Sequence, residues 1–160
     1  MTNEKLKGKT YGASQFPPFA TLEIGDVVRG TISAARVLEK KEKDRKTKKE
    51  IVTYEPVLEI TPSEEVELNF GSLQKGTLER REYAVGEKFS LSVSGNLYYV
   101  LADIIADIQG EKLPEGFEWS REILSCLEGL EVGIERIKDG KVAKGKYAGK
   151  ARKMFTLTVN

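Results

Sequence analysis

The sequence predicts a mostly β protein, a five-stranded β-barrel with one long and one short helix between the third and fourth strands. Three observations predict this fold class. Apolar residues alternate with a period of two in several segments, one segment has helical periodicity, and turn-forming residues separate them. With 160 residues the chain is long enough for one domain with one sizeable core. We expect an extended N-terminal arm over residues 1–23 and the barrel over residues 24–160.

The first two predicted strands form a long hairpin. Val28, Gly30 and Ile32 alternate with more polar residues, and residues 51–60 are rich in β-branched and aromatic side chains. Pro56 within the second strand predicts an edge or a bulge, because proline cannot donate to a sheet ladder. The tip of the hairpin is the segment 40–50.

The next residues carry weaker signals. Residues 66–70 and 78–85 are candidate short strands, while residues 88–94 alternate clearly and predict the third barrel strand. In front of the barrel, Phe16 and Phe19 flank two prolines, and we expect them to pack the arm against the barrel.

The helices follow. An apolar stripe with helical spacing covers residues 97–108, with Asn96 as the predicted N-cap and Gly110 as the terminating residue. A short helix is predicted from Ser120, as N-cap, to Leu127. Apolar alternation then predicts two closing strands, one on each side of a second basic segment.

Charge is unevenly distributed along the chain. The net charge is only +1, but segment 40–50 holds seven basic and three acidic residues, and segment 138–153 holds seven basic and one acidic. These two segments carry +4 and +6, so the remainder carries −9. We therefore expect an acidic body with two basic regions.

The element order is that of the OB barrel, which has its helix between the third and fourth strands. That fold binds oligonucleotides on the face of strands two and three and through the loops joining strands one and two and strands four and five. The two basic segments fall in these loops. Basic residues bind phosphates and aromatic rings stack on bases, so the sequence predicts a binding site for single-stranded nucleic acid.

The candidate binding residues are the basic and aromatic side chains of these loops and adjoining strands. They are Arg29, Arg36, Lys40, Lys41, Lys43, Arg45, Lys46, Lys48, Lys49, Tyr54, Lys141, Lys144, Lys146, Tyr147, Lys150 and Arg152. Tyr83 is a further aromatic candidate, for which a structural role is favoured. No cofactor or metal is expected.

The C-terminal half resembles the OB-fold single-stranded DNA-binding proteins of bacteriophages. The likeness covers residues 85–160 and is carried by the strand end 93–95 before the helix and by a final hairpin with a glycine- and lysine-rich tip, residues 133–157. The resemblance implies sequence-independent coating of single-stranded DNA in replication, recombination or repair, with proteins of those processes as partners. Many such proteins recruit partners through an acidic tail, whereas residues 155–160 have the pattern of a strand.

Composition narrows the remaining function classes. There is no histidine and one cysteine, Cys126, which excludes an intramolecular disulfide and any His-dependent catalytic pair and disfavours a zinc site. No apolar run has the length of a membrane span, and residues 1–5 do not begin a signal peptide. We expect a cytoplasmic protein of a bacterium or a virus-infected cell, and no enzyme.

Alternatives stay open at this point. A metal-dependent nuclease would use carboxylates such as Asp26, Glu39, Glu55 or Glu59. An OB-like accessory factor of a replisome or virion would bind a protein through the acidic body. The sequence does not distinguish an RNA-binding protein from a DNA-binding one. An exposed strand edge near Pro56 allows a homodimer.

Overall fold

The structure is a computed structural model and describes residues 16–71, 75–142 and 148–160. Within them the chain is mostly β, as predicted, with seven strands and two helices. The elements are β1 (Val27–Lys43), β2 (Glu50–Pro62), β3 (Val66–Phe70), β4 (Glu79–Tyr83), β5 (Phe89–Ser92), α1 (Leu97–Gln109), α2 (Arg121–Leu124) with a 3₁₀ turn (Ser125–Leu127), β6 (Glu131–Lys141) and β7 (Ala151–Val159).

Five strands form one antiparallel sheet in the order β5-β2-β1-β6-β7. The long strand β1 is central: it pairs with β6 over residues 27–31 and with β2 from Gly30 to Lys43. The register of β1 shifts between Ile32 and Ala34. Gly30 lies where β1 pairs with both β2 and β6. A glycine is required there because a Cβ would overlap the carbonyl oxygen of Thr61.

The prediction of five strands was incomplete, because β3 and β4 form a separate two-stranded sheet. Their ladder runs from Val66 opposite Tyr83 to Phe70 opposite Glu79. Leu68 and Tyr83 from this hairpin are fully buried in the common core. The hairpin is therefore a packed part of the same body, although its short strands gave only weak sequence signals.

Pro56 lies where β2 loses its second neighbour. The pairing of β2 with β5 covers Val57 to Ile60, and the carbonyl oxygen of Pro56 accepts one further hydrogen bond from Val93. Pro56 also pairs with Val37 of β1 in regular register. Among the described residues, the proline thus marks the start of a strand edge that has no second partner, which was one of the two predicted roles, and not a bulge.

The described part of the predicted arm is joined to the two sheets. Phe19 bridges Ser90 of β5, and Thr21 bridges Asn69 of β3. Ala20 and Leu22 alternate with these residues and are buried in the core. Residues 16–22 therefore connect the five-stranded sheet with the β3–β4 hairpin, and the domain boundary at residue 23 stays a prediction.

The helices begin and end close to the predicted positions. Leu97, Leu101 and Ile105 of α1 are buried, and Gly110 ends this helix in the left-handed conformation with φ +81°. The hydroxyl of Ser120 caps α2 by accepting a hydrogen bond from the Ile123 amide at 3.2 Å, as predicted. None of the helices in the described ranges combines the length and apolar character needed to cross a membrane.

Candidate functional site

The first basic segment is partly strand. We predicted a loop over 40–50, but β1 extends to Lys43 and β2 begins at Glu50, so the turn is only residues 44–49. Asp44 closes this turn: its carboxylate accepts the backbone amides of Lys46 at 2.7 Å and Thr47 at 3.2 Å. The positive charges of this segment are therefore carried on a hydrogen-bonded hairpin end.

The candidate residues of this hairpin are solvent-exposed. Lys41 and Lys43 lie on the same side of β1 as Glu39, whose ladder partner is Tyr54, with 36% of its surface exposed. Lys40 lies on the other side of β1. The turn presents the remaining candidates, Arg45, Lys46, Lys48 and Lys49.

The second basic segment belongs to the β6–β7 hairpin. Lys141 pairs with Ala151 and Arg152 lies opposite Gly140. Val142 and Lys150 extend the hairpin by one hydrogen bond of 3.0 Å. The predicted residues Lys144, Lys146 and Tyr147 lie outside the described residues, so their role stays a prediction.

A groove of about 1020 Å³ is lined by side chains of both hairpins. We call it the basic groove because it contains Lys40 from β1, Arg136 from β6 and Lys153 from β7. Its other lining residues are Thr21, Leu22, Glu23, Ile24, Asn69, Gly71 and Leu78. The fold thus brings one lysine from each basic segment to a single concave surface.

Lys40 and Arg136 are fixed by carboxylates. The ammonium of Lys40 lies 3.0 Å from a carboxylate oxygen of Glu55. Arg136 is only 9% exposed, and it donates to Asp139 at 2.6 Å and to the carbonyl oxygen of Leu22 at 2.9 Å. Its Nε atom is buried without a hydrogen-bond partner among the described residues. Arg136 therefore contributes to the groove wall a buried guanidinium that is paired with Asp139 and whose Nε has no partner among the described residues.

Sequence reasoning did not single out Arg136 or Lys153. Lys153 was counted in the basic segment 138–153, and alternation along β7 places it on the same side as Phe155, which is buried. That alternation was the signal in the sequence that could have identified Lys153 as a candidate residue. Arg136 also occupies an inward position, after Val132 and Ile134, where the pattern predicts an apolar residue.

The two arginines predicted on β1 do not line the basic groove. Arg29 pairs with Glu64 at 2.9 Å near the start of the strand. Arg36 donates to the hydroxyl of Ser90 at 3.2 Å, and its guanidinium lies 4.3 Å from the ring centroid of Phe16 and 5.5 Å from that of Phe19. Phe16 and Phe19 thus pack the arm against β1 through Arg36, in agreement with the predicted packing role.

The carboxylates considered for a metal site are dispersed. Asp26 is held by Arg80, whose two terminal nitrogens donate to its two oxygens at 2.8 and 3.1 Å, and these hydrogen bonds raise the pKa of Arg80. Glu55 pairs with Lys40. Across the described ranges, no group of three or more Asp, Glu, Cys or His residues has the geometry to hold a metal ion.

Comparison with known proteins adds no relative. No protein-family model matches the chain, and neither the curated proteins nor the solved structures contain a match.

Proposed function

We propose that this protein binds single-stranded DNA without sequence preference, through an OB-type barrel whose two basic hairpins enclose the bound strand. The observation that carries the proposal is the basic groove, where Lys40 and Lys153 come from different hairpins and line the same concavity with Arg136. A flexible strand can follow such a groove and exchange its counterions for lysine and arginine side chains.

The order of elements supports the OB assignment. Taken along the chain, the five strands of the large sheet are β1, β2, β5, β6 and β7, and both helices lie between the third and fourth of them. The OB loops that bind oligonucleotides correspond to the turns of the β1–β2 and β6–β7 hairpins. Both of these hairpins carry the basic segments, so charge and topology agree.

Electrostatics supports binding by the hairpin ends. The described lysines and arginines beyond Lys40 in the first hairpin are exposed, and the segment has four positive charges in excess. The rest of the chain is acidic, which disfavours polyanion binding elsewhere on its surface. In this proposal the protein coats single-stranded intermediates of replication, recombination or repair, as the phage-type resemblance implies.

Fluorescence anisotropy tests the proposal directly. Labelled single-stranded DNA, duplex DNA and single-stranded RNA of equal length are titrated with the protein at several salt concentrations. We expect single-stranded DNA to bind more tightly than duplex, with a log–log salt slope of about −0.7 for each phosphate contacted. Binding that is absent or independent of salt would refute the proposal, and a clear preference for RNA would redirect it to RNA.

A further inference from the structure

A second concavity, which we call the aromatic groove, shares no lining residue with the basic groove. It has a volume of about 750 Å³ and is lined by the first turns of α1, the segment before α2 and the β6–β7 hairpin. Its lining residues are Gly95, Tyr98, Tyr99, Ala102, Phe117, Trp119, Val142 and Arg152. Four of these eight residues are aromatic, although aromatic residues are only 8% of the sequence.

The rings of the aromatic groove support each other. Trp119 is 8% exposed, and its ring centroid lies 4.9 Å from that of Phe117 and 6.1 Å from that of Tyr98. Burial and the nearby Glu55 carboxylate raise the pKa of Tyr98, so its phenol is neutral at physiological pH. Three rings are therefore held in place before any ligand binds, which lowers the entropic cost of binding a flat molecule.

The fourth ring is exposed and lies beside a cation. Tyr99 is 66% exposed on α1, and the Arg152 guanidinium lies 5.0 Å from its ring centroid. Arg152 belongs to β7, so the basic hairpin itself contributes to the aromatic groove. An aromatic face next to a guanidinium is suited to a ligand that combines a π-system with an anionic group.

Gly95, which lines the aromatic groove, lies against Lys153 of β7. A Cβ added to Gly95 would overlap the carbonyl oxygen of Lys153 and lie 3.0 Å from its Cβ atom, and Lys153 lines the basic groove. Glu55 also relates the two grooves. It pairs with Lys40 of the basic groove, and its negative charge raises the pKa of the Tyr98 phenol in the aromatic groove. The lining residues of the two grooves are therefore in direct contact at Gly95 and Lys153.

From this arrangement we infer that the aromatic groove receives a nucleobase of the bound single strand, with Tyr99 and Arg152 at its exposed rim. The inference rests on the proposed function, and it names a base-binding surface on the helical side of the protein, apart from the sheet and its hairpin tips. An apolar or aromatic peptide would use the rings but would offer no anionic group to the Arg152 guanidinium at the rim.

Trp119 provides the test, because it is the only tryptophan in the chain. An oligothymidylate is compared with an abasic oligomer of the same length and charge, and binding is followed by anisotropy at low salt. At equal occupancy, we expect the oligothymidylate to quench Trp119 fluorescence and the abasic oligomer to leave it unchanged. Equal quenching by both, or quenching by neither while both bind, would overturn the inference and leave the proposed function intact.

A pair of variants gives an independent test of base binding in the aromatic groove. Tyr99→Ala removes the exposed ring, and Ile108→Ala removes an exposed apolar side chain, 48% exposed, near the other end of the same helix. We expect Tyr99→Ala to weaken oligothymidylate binding at least about 5-fold, the lower bound for loss of one stacked base, and Ile108→Ala to have no effect. Equal affinities for the two variants would refute the base site, whereas failure of the wild-type protein to bind any single strand would refute the proposed function itself.

Discussion

The side-chain amide of Asn96 binds the backbone of Phe155 in both directions. Its Nδ2 donates to the carbonyl oxygen of Phe155 at 2.9 Å, and its Oδ1 accepts the amide of Phe155 at 2.6 Å. The backbone amide of Asn96 donates in turn to the carbonyl oxygen of Lys153 at 3.1 Å. Asn96 thus acts as a one-residue strand partner for β7 and connects the segment after β5 to the opposite edge of the five-stranded sheet.

Removing this amide should destabilise the protein. Asn96→Ala loses two hydrogen bonds and leaves the N–H and C=O of Phe155 without these partners in a partly buried region. We expect the free energy of unfolding to fall by about 1–3 kcal/mol, measured by urea denaturation. The matched control is Asn160→Ala, at an exposed position whose hydrogen bond to Glu131 comes from the backbone amide. A loss of the same size in both variants would contradict the role of the Asn96 side chain.

Gly95, the neighbouring residue, should be intolerant of any side chain. It has φ +57°, and a Cβ would overlap the backbone of Lys153. Gly86 has a comparable φ of +84°, but a Cβ there would meet nothing within 4 Å. Gly86→Ala should therefore cost only the left-handed penalty of about 1–2 kcal/mol, and Gly95→Ala clearly more because the strand contact must also open.

Thermal unfolding followed by circular dichroism compares the two glycine variants. A melting temperature for Gly95→Ala as high as that for Gly86→Ala would show that β7 does not approach Gly95 as closely as described. Normal melting of both variants would show that neither residue needs the left-handed conformation.

Local periodicity predicted the elements, but their contacts over long sequence distances were not predictable. The alternation of Phe89, Leu91 and Val93 correctly gave their burial, and the stripe of α1 correctly gave Leu97, Leu101 and Ile105. Asn96 occupies the N-cap position of α1, as predicted, but it does not cap the helix with its side chain. Its side chain makes no cap hydrogen bond, because the residue has helical φ and ψ and its amide is used by β7.

The local features of the candidate site were predictable from the sequence, whereas its long-range contacts were not. Charge counting found both basic segments, since net charge is a local property of the sequence. It did not indicate that Lys40 and Lys153 share a groove, which depends on the pairing of β1 with β6, as of Val27 with Glu135. The aromatic groove was missed for a related reason: Tyr98 and Tyr99 lie at the start of a predicted helix, and the local pattern does not show that Tyr99 is largely exposed beside a residue of β7.

The phenol of Tyr83 should make the protein sensitive to alkali. The residue is fully buried, its hydroxyl has no hydrogen-bond partner among the described residues, and burial raises its pKa above the ordinary value of 10.0 although Arg81 opposes the shift. Because the unfolded chain then loses this proton at lower pH than the folded chain, stability falls as pH rises above about 10. Burial of Tyr98 and Cys126 acts in the same direction.

Tyr83→Phe tests this linkage. We expect the free energy of unfolding at pH 7 to be unchanged or higher by up to about 1 kcal/mol, because an unpaired hydroxyl is removed from the core. The loss of stability between pH 9 and 11 should be smaller than in the wild type. Tyr99→Phe, at an exposed position, is the control and should retain the wild-type pH profile; a lower stability of Tyr83→Phe at pH 7 would indicate that the hydroxyl has a partner.

Lys40 and Lys153 should act together on bound single-stranded DNA. If each neutralises one phosphate, replacing both with alanine reduces the magnitude of the log–log salt slope by about 1.4. The control replaces Lys88 and Lys112, which make the same change in net charge but do not line the basic groove. Anisotropy titrations from 50 to 300 mM salt measure both slopes, and circular dichroism checks the folds. An equal decrease in the two double variants would mean that the strand responds to overall charge, and the groove would then have no special part in binding.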